Sequence, residues 1–331
     1  MATKILIYGE TDKENLTTST KEILGIGKKL ADTLAGEVVG VFIGEQVKEN
    51  AQEAISFGVD KVVLVENSEL RDYQPELYLA VMEKLCKEIE PDILLMSHNF
   101  IGAELAPRLA CRLKGGLTTD CVDLAIDQET KQLLRTKPIY GGNITAVYCS
   151  AVKPQIATIR DKVFPALEKD DSRKGEIISF VPDISFSIPK IKYIKKVTED
   201  FQGKKLEESE VIVCGGRGMG SQEAFAELDQ LAKILNGALG GTRPTVEKGW
   251  IHSRLQIGLT GVKVSPKLYL AIGVSGSIQH IAGVIGSKII VAINKDPEAN
   301  IFNEAHYGVV GDYKEILPAF KEKIRELVTS P

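Results

Sequence analysis

No run in this chain approaches the roughly eighteen consecutive uncharged apolar residues that a membrane-spanning helix needs, and no excess of either charge is present. The formal net charge is -4, with 44% hydrophobic and 6% aromatic residues. That balance excludes a broad basic surface for nucleic acid and a strongly acidic tail. The opening MATKILIYGE runs straight into a strand-like segment and lacks a basic region followed by an apolar stretch and a cleavage site, so a cytoplasmic location is expected. Cysteine pairing is missing as well. Cys86, Cys111, Cys121, Cys149 and Cys214 form no C-x-x-C motif, which argues against an iron-sulfur cluster, a cysteine zinc site and a disulfide framework. The four histidines (His98, His252, His280 and His306) lack the close spacing of a metal site on one helix.

What is present is two stretches of alternating strands and helices. At 331 residues the chain is long for one core. From the N-terminus, β-branched runs such as KILIYG, EVVGVFIG, KVVLVE and DILLMS alternate with helical periods over Ser19 to Leu34, Ala51 to Phe57 and Pro75 to Ile89. This rhythm predicts a parallel sheet clad by helices. From Thr118 to Arg160 the pattern changes to the alternation and turn signals of antiparallel hairpins, and residues 168 to 210 are charge-rich. A boundary near 198 is expected, giving domains 1–198 and 199–331. Beyond it the alternation resumes with EVIVCGG, a helix from Gln222 to Leu235, LYLAIG, a helix from Ser277, KIIVAIN and a last helix from about Tyr313 to Val328. The predicted fold class is α/β with two Rossmann-like domains.

Chemistry in open parallel sheets gathers beyond the carboxyl ends of the strands, and the second half supplies six polar or glycine-rich turns there. VIVCGGRGMGSQEAF has glycines that permit close approach, Ser221 as a candidate helix cap, and Arg217 to attract an anion. It falls short of G-x-G-x-x-G, because the third glycine would fall on Ser221. It serves equally as a tight turn with no ligand. In ALGGTRPTVEKG, Thr242 can cap a short helix with Pro244 in its first turn, leaving Arg243 at an exposed rim. QIGLTGVKVSP presents Thr260 between Gly258 and Gly261. In YLAIGVSGSIQHIAG, Ser277 is the expected cap and Ile278, Gln279 and His280 the first helical turn. His280 reads either as a ligand contact or as a histidine satisfied by a backbone carbonyl. Asn294 and Asp296 end another strand. Asp312 ends the next, where it binds a ribose or caps the last helix.

These segments, GGRGMGSQEAF, GGTRPTVEKGW, IGLTG, SPKLYLAIGVSGSIQHIAG and IVAINKDPEANIF with YGVVGD, resemble in order and spacing the alpha subunit of the electron transfer flavoproteins. The first half agrees more loosely, through GVDKVVLVE, PDILLMSHNFIGAELAPRLACRL and GLTTDCVDL. The resemblance implies an N-terminal domain like the adenine-nucleotide alpha hydrolases and a C-terminal parallel sheet that binds FAD. It places Arg217 on the nucleotide portion, and Thr242 and Arg243 at the isoalloxazine. Ile257, Gly258, Leu259 and Thr260 would line the ring, with the Thr260 hydroxyl near N5. Ser275, Gly276, Ser277, Ile278, Gln279 and His280 would hold the pyrophosphate, with His280 by O2. Asn294, Asp312 and Tyr313 would lie at the sugar-phosphate and adenosine end. The chain departs from the family pattern at Leu259, where glutamine is expected, at Val262, where lysine is expected, and at Ser277, where alanine is expected.

The implied function is electron carriage by an alpha-beta heterodimer, between a dehydrogenase, commonly an acyl-CoA dehydrogenase of fatty acid oxidation, and a downstream acceptor. In some relatives electrons from NADH are bifurcated towards ferredoxin. A cation fixed about 4 Å from the ring at an effective dielectric near 20 would contribute roughly 4 kcal/mol. That is on the order of 170 mV for a one-electron couple before screening, which singles out Arg243. Two rival readings are a nicotinamide-dependent dehydrogenase, which needs a fuller phosphate fingerprint, and an adenine-nucleotide-binding regulatory protein. The second would need a glycine-rich loop that IYGETDKENLTT does not supply.

Overall fold

The structure is a computed structural model that describes residues 2–12, 15–142, 144–181, 191, 193–195, 197 and 203–329. Two compact units emerge, one of residues 1–139 and 144–196, the other of residues 140–143 and 197–331. The boundary expected near 198 lies outside the described residues.

The first unit is built on seven parallel strands. In spatial order they are Glu176–Ser179, Lys61–Glu66, Glu37–Gly44, Lys4–Gly9, Ile93–Ser97, Gln155–Ile159 and Gly116–Cys121. Strand side chains alternate between two cores, as the pleat requires. Ile5 and Ile7 meet the helices Thr18–Leu34 and Asn50–Ser56, while Leu6 and Tyr8 meet Pro75–Ile89 and Phe100–Leu113. The first helix starts where the Thr17 hydroxyl accepts from the Thr20 amide, and it ends at Ala35, which adopts the left-handed conformation. Three antiparallel strands, Asp123–Ile126, Leu133–Ile139 and Ile144–Tyr148, form a separate small sheet.

Two expectations are corrected here. Hairpins were expected throughout Thr118 to Arg160, but Gly116–Cys121 and Gln155–Ile159 pair in parallel with each other and join the large sheet. Strand direction is decided by a partner dozens of residues away, which local alternation does not encode. The charge-rich stretch also contains an edge strand, Glu176–Ser179, beside Lys61–Glu66; all four of its residues are exposed, so it carries no burial pattern.

The second unit holds five parallel strands in the spatial order Ala238–Gly241, Val211–Gly215, Leu268–Ile272, Ile289–Asn294 and Tyr307–Val310. Counted along the chain this is 2-1-3-4-5. The winding therefore reverses between Val211–Gly215 and Leu268–Ile272, where ligand crevices form in such sheets. One face packs on the helices Ala224–Ile234 and Tyr313–Thr329 through Phe225, Leu228, Leu231 and Leu317. Shorter segments carrying Ile257, Val264, Ile281, Val284 and Ile301 cover the other. The helix expected from Gln222 begins at Ala224, with Glu223 in the flanking position, so Ser221 is not its cap.

Candidate cofactor site at the carboxyl edge of the second sheet

Main-chain atoms cement the turns at this edge. The Gly216 amide donates to the Ile272 carbonyl and the Gly218 amide to the Gly273 carbonyl, both at 2.9 Å. The turns after the first and third strands thus interlock at the switch point. A Cβ on Gly216 would lie 2.1 Å from the Gly273 oxygen, so only glycine permits this approach. The Tyr313 hydroxyl, at the start of the last helix, donates to the Met219 carbonyl at 2.8 Å and steadies the Arg217 turn. Neighbouring turns are joined in the same way. The Thr242 amide donates to Gly215, Ile257 to Gly241, Leu259 to Gln279, and Ile301 to Ser275. The Asn294 side-chain amide donates to the Val274 carbonyl at 2.8 Å.

These turns enclose a cleft of about 390 Å³, within the range of ligand sites. Of the residues expected from the sequence, Arg217, Thr242, Ser275, Ser277, His280 and Asn294 line it. Asp296, a strand-end carboxylate in the sequence reading, and the turn glycines Gly218 and Gly273 also line it, while Pro244, Val274 and Ala299 complete the wall and were not expected as contacts. Gly276, Ile257 and Gly258 are buried in the supporting framework. Arg243, Leu259, Thr260, Ile278 and Gln279 are exposed outside the cleft lining. Asp312 does what an aspartate before a helix usually does, accepting the Lys314 amide at 2.9 Å, and Tyr313 is the turn-holding residue described above.

Two side chains have partners that the sequence reading did not name. Arg243 is not a bare cation, because its Nε donates to Glu247 Oε1 at 2.8 Å across one helical turn, with both side chains more than half exposed. The i, i+4 spacing in RPTVE was the available signal. His280, read from the sequence either as a ligand contact or as a histidine satisfied by a backbone carbonyl, takes the second setting, although it also lines the cleft, and is only 5% exposed. Its Nδ1 lies 3.0 Å from the Ile257 carbonyl and its Nε2 2.9 Å from the Tyr269 hydroxyl. Burial pushes the imidazole down to about 4, so it is neutral near pH 7.

The donor set fits a phosphate-bearing nucleotide: a guanidinium, hydroxyls from Thr242, Ser275 and Ser277, and glycine backbone where a Cβ would fill the space. Among the described residues no group of three or more His, Cys, Asp or Glu could hold a metal ion. Nor, among them, is any helix long and apolar enough to cross a membrane.

Comparison with known proteins gives this arrangement its class. Residues 205–285 match the family described as the electron transfer flavoprotein FAD-binding domain, and residues 5–185 match the electron transfer flavoprotein domain. The second unit is thus the FAD-binding part of a flavoprotein of electron transport. The chain belongs to the alpha-subunit family of the electron transfer flavoproteins, whose members work as heterodimers with a beta subunit. It is 43% identical over 324 residues to electron transfer flavoprotein subunit alpha of Thermoanaerobacterium thermosaccharolyticum, covering 98% of each chain. To subunit alpha of Bacillus subtilis it is 40% identical over 327 residues, covering 99% of each. It is also 36% identical to subunit LctC of a lactate dehydrogenase (NAD(+),ferredoxin) of Acetobacterium woodii, covering 95% of this chain and 75% of that one.

Proposed function

We propose that this chain carries electrons between a dehydrogenase of the acyl-CoA class and a downstream acceptor, with FAD gripped at the carboxyl edge of the second sheet and a beta subunit completing its surroundings. The observation that carries this reading is the cleft at the switch point of the 2-1-3-4-5 sheet, where Arg217, Ser275 and Ser277 converge on glycine backbone. Bound there, FAD supplies one- and two-electron redox chemistry. In this reading Arg217 and the Ser275 to Gln279 segment bind the phosphates, and Asn294, Asp312 and Tyr313 position the adenosine end. Thr242, Arg243 and the loop Ile257 to Thr260 border the ring, with Leu259 a contact without hydrogen-bonding capacity.

Arg243 is the residue assigned to hold positive charge near the ring. Its bond to Glu247 and its exposure cut the bare-charge figure sharply. Arg243→Ala is expected to lower the midpoint potential by a few tens of millivolts, roughly 30–60 mV, and to weaken FAD binding. Glu247→Gln, which frees the guanidinium, is expected to move the potential the other way. A redox titration of each variant checks both signs, and a potential unmoved by either removes Arg243 from the ring.

The reading itself is tested by co-expression with the beta subunit, counting flavins per heterodimer and adding NADH or a reduced acyl-CoA dehydrogenase as donor. A yellow complex reduced by the dehydrogenase supports it; a colourless complex refutes it. The similarity to LctC, whose name pairs NAD(+) with ferredoxin, favours a second reading, a bifurcating complex. That reading predicts a second flavin and reduction by NADH.

A further inference from the structure

The amino edge of the first sheet holds a polar cavity that shares no residue with the cofactor cleft. The parallel strands Lys4–Gly9, Ile93–Ser97 and Gln155–Ile159 begin side by side there. Together with the turn between Asp123–Ile126 and Leu133–Ile139 they enclose about 220 Å³. That is below the roughly 300–1,000 Å³ of pockets for organic ligands, and it suits a small ion.

The walls have donors to spare and few free acceptors. Gln155 is only 4% exposed. Its Oε1 accepts the Leu133 amide at 2.8 Å, which fixes the orientation of the side-chain amide, and its Nε2 has no partner among the described residues. A donor left over at a buried position costs stability until something accepts from it. The second spare donor is Lys131, which is exposed on the cavity wall and makes no ion pair among the described residues. Its φ is +57°, a conformation uncommon for a residue with a Cβ. The turn that imposes it is tied by its own bonds. Asp127 Oδ1 accepts from the Thr130 amide at 2.7 Å and from the Thr130 hydroxyl at 2.8 Å, and the Lys131 amide donates to the Asp127 carbonyl at 3.0 Å. Strain held in this way clusters at binding sites. Two ammonium groups, Lys131 and Lys153, face one carboxylate, Asp92, across the lining. That carboxylate is already engaged: Oδ2 accepts the Lys4 amide at 2.9 Å, and Oδ1 accepts from Lys153. What the cavity still lacks is an acceptor bearing negative charge.

We propose that this cavity binds a small oxyanion, with Gln155 Nε2 and Lys131 Nζ as the donors that meet it and Lys153 adding positive charge. A charge-assisted bond from Lys131 and a desolvated amide donor from Gln155 are the two contributions that set its affinity. All the lining residues belong to the first unit, so the outcome is independent of the cofactor reading.

The test titrates the purified alpha-beta complex with inorganic phosphate at constant ionic strength and follows ³¹P line broadening, with ¹³C-labelled acetate in a parallel series. The wild-type complex should broaden the phosphate line saturably. Lys131→Gln leaves the Asp127 bonds of the turn in place and should weaken binding about tenfold, as loss of one charged hydrogen bond does. Gln155→Glu keeps the acceptor for the Leu133 amide but replaces the spare donor with a carboxylate, and it should abolish binding. If that buried change prevents folding, Lys131→Gln alone decides. Acetate bound alongside phosphate assigns the site to oxyanions in general, and phosphate alone assigns it to tetrahedral ones; both support the proposal. No saturable broadening of either ion, or binding that Lys131→Gln leaves unchanged, overturns it.

Discussion

Gly276→Ala is expected to destabilise the second unit by on the order of 2–5 kcal/mol, enough to unfold much of it at moderate denaturant. Gly276 has φ +81°, a conformation that costs a residue with a Cβ roughly 1–2 kcal/mol. The added Cβ would also stand 2.1 Å from the Ile301 amide nitrogen and 2.5 Å from its Cα. These are main-chain atoms already tied down by the Ile301 to Ser275 hydrogen bond, so they cannot move aside as a side chain would. Overpacking of this kind adds about 1–3 kcal/mol. Gly220 isolates the two contributions. Its φ is +82°, but nothing lies within 4 Å of its would-be Cβ, so Gly220→Ala should cost only the conformational part, about 1 kcal/mol. Trp250, the sole tryptophan and a member of the second core, reports unfolding of this unit by fluorescence in urea. Equal losses for the two variants would show that close approach at Gly276 contributes nothing.

Acid should weaken the same unit through His280. Its folded pKa is lowered to about 4 against an ordinary value of 6.5, so between those limits the unfolded chain binds a proton that the folded chain refuses. Stability therefore falls as pH drops through that window. The full effect is on the order of 3 kcal/mol once pH reaches about 4. In the first unit the buried Glu10 acts with the opposite sign. Burial raises its carboxyl pKa, so its contribution to stability increases as pH falls through the raised value. Trp250 separates the two units. Urea midpoints read from it between pH 7 and pH 4.5 should fall more steeply for the wild type than for His280→Gln. Parallel curves would mean that His280 does not drive the acid response.

Local pattern made a good part of this fold legible. Pro75 to Ile89 was read with its observed ends because proline at the first turn and an apolar stripe mark both period and start. Three strands of the second sheet, Val211–Gly215, Leu268–Ile272 and Ile289–Asn294, were legible as continuous apolar runs that end at or just before glycine or in asparagine, whereas the glycine-rich Ala238–Gly241 and the exposed Tyr307–Val310 carry no such run. Its 2-1-3-4-5 order was not, because pairing joins segments without a local signal. The same gap hid the parallel placement of Gly116–Cys121 and Gln155–Ile159. At the site, the sequence reading found Arg217, Thr242, Ser275, Ser277, His280 and Asn294 on the cleft wall. It missed Tyr269, which reads as one more apolar strand residue until its hydroxyl is asked for a partner. The partners of His280 lie 11 and 23 residues away, a separation at which spacing carries no information.

Apart from the side-chain bonds of Tyr313, Asn294 and His280, the hydrogen bonds that knit the cleft run between main-chain amides and carbonyls, so the scaffold is largely indifferent to the other side chains that project from it. Positions such as Leu259, more than half exposed while its amide is bonded to Gln279, can mutate freely without loosening the frame. The rim can therefore vary one residue at a time while the frame persists, which suits a family whose members share about two-fifths of their residues with this chain over nearly its whole length.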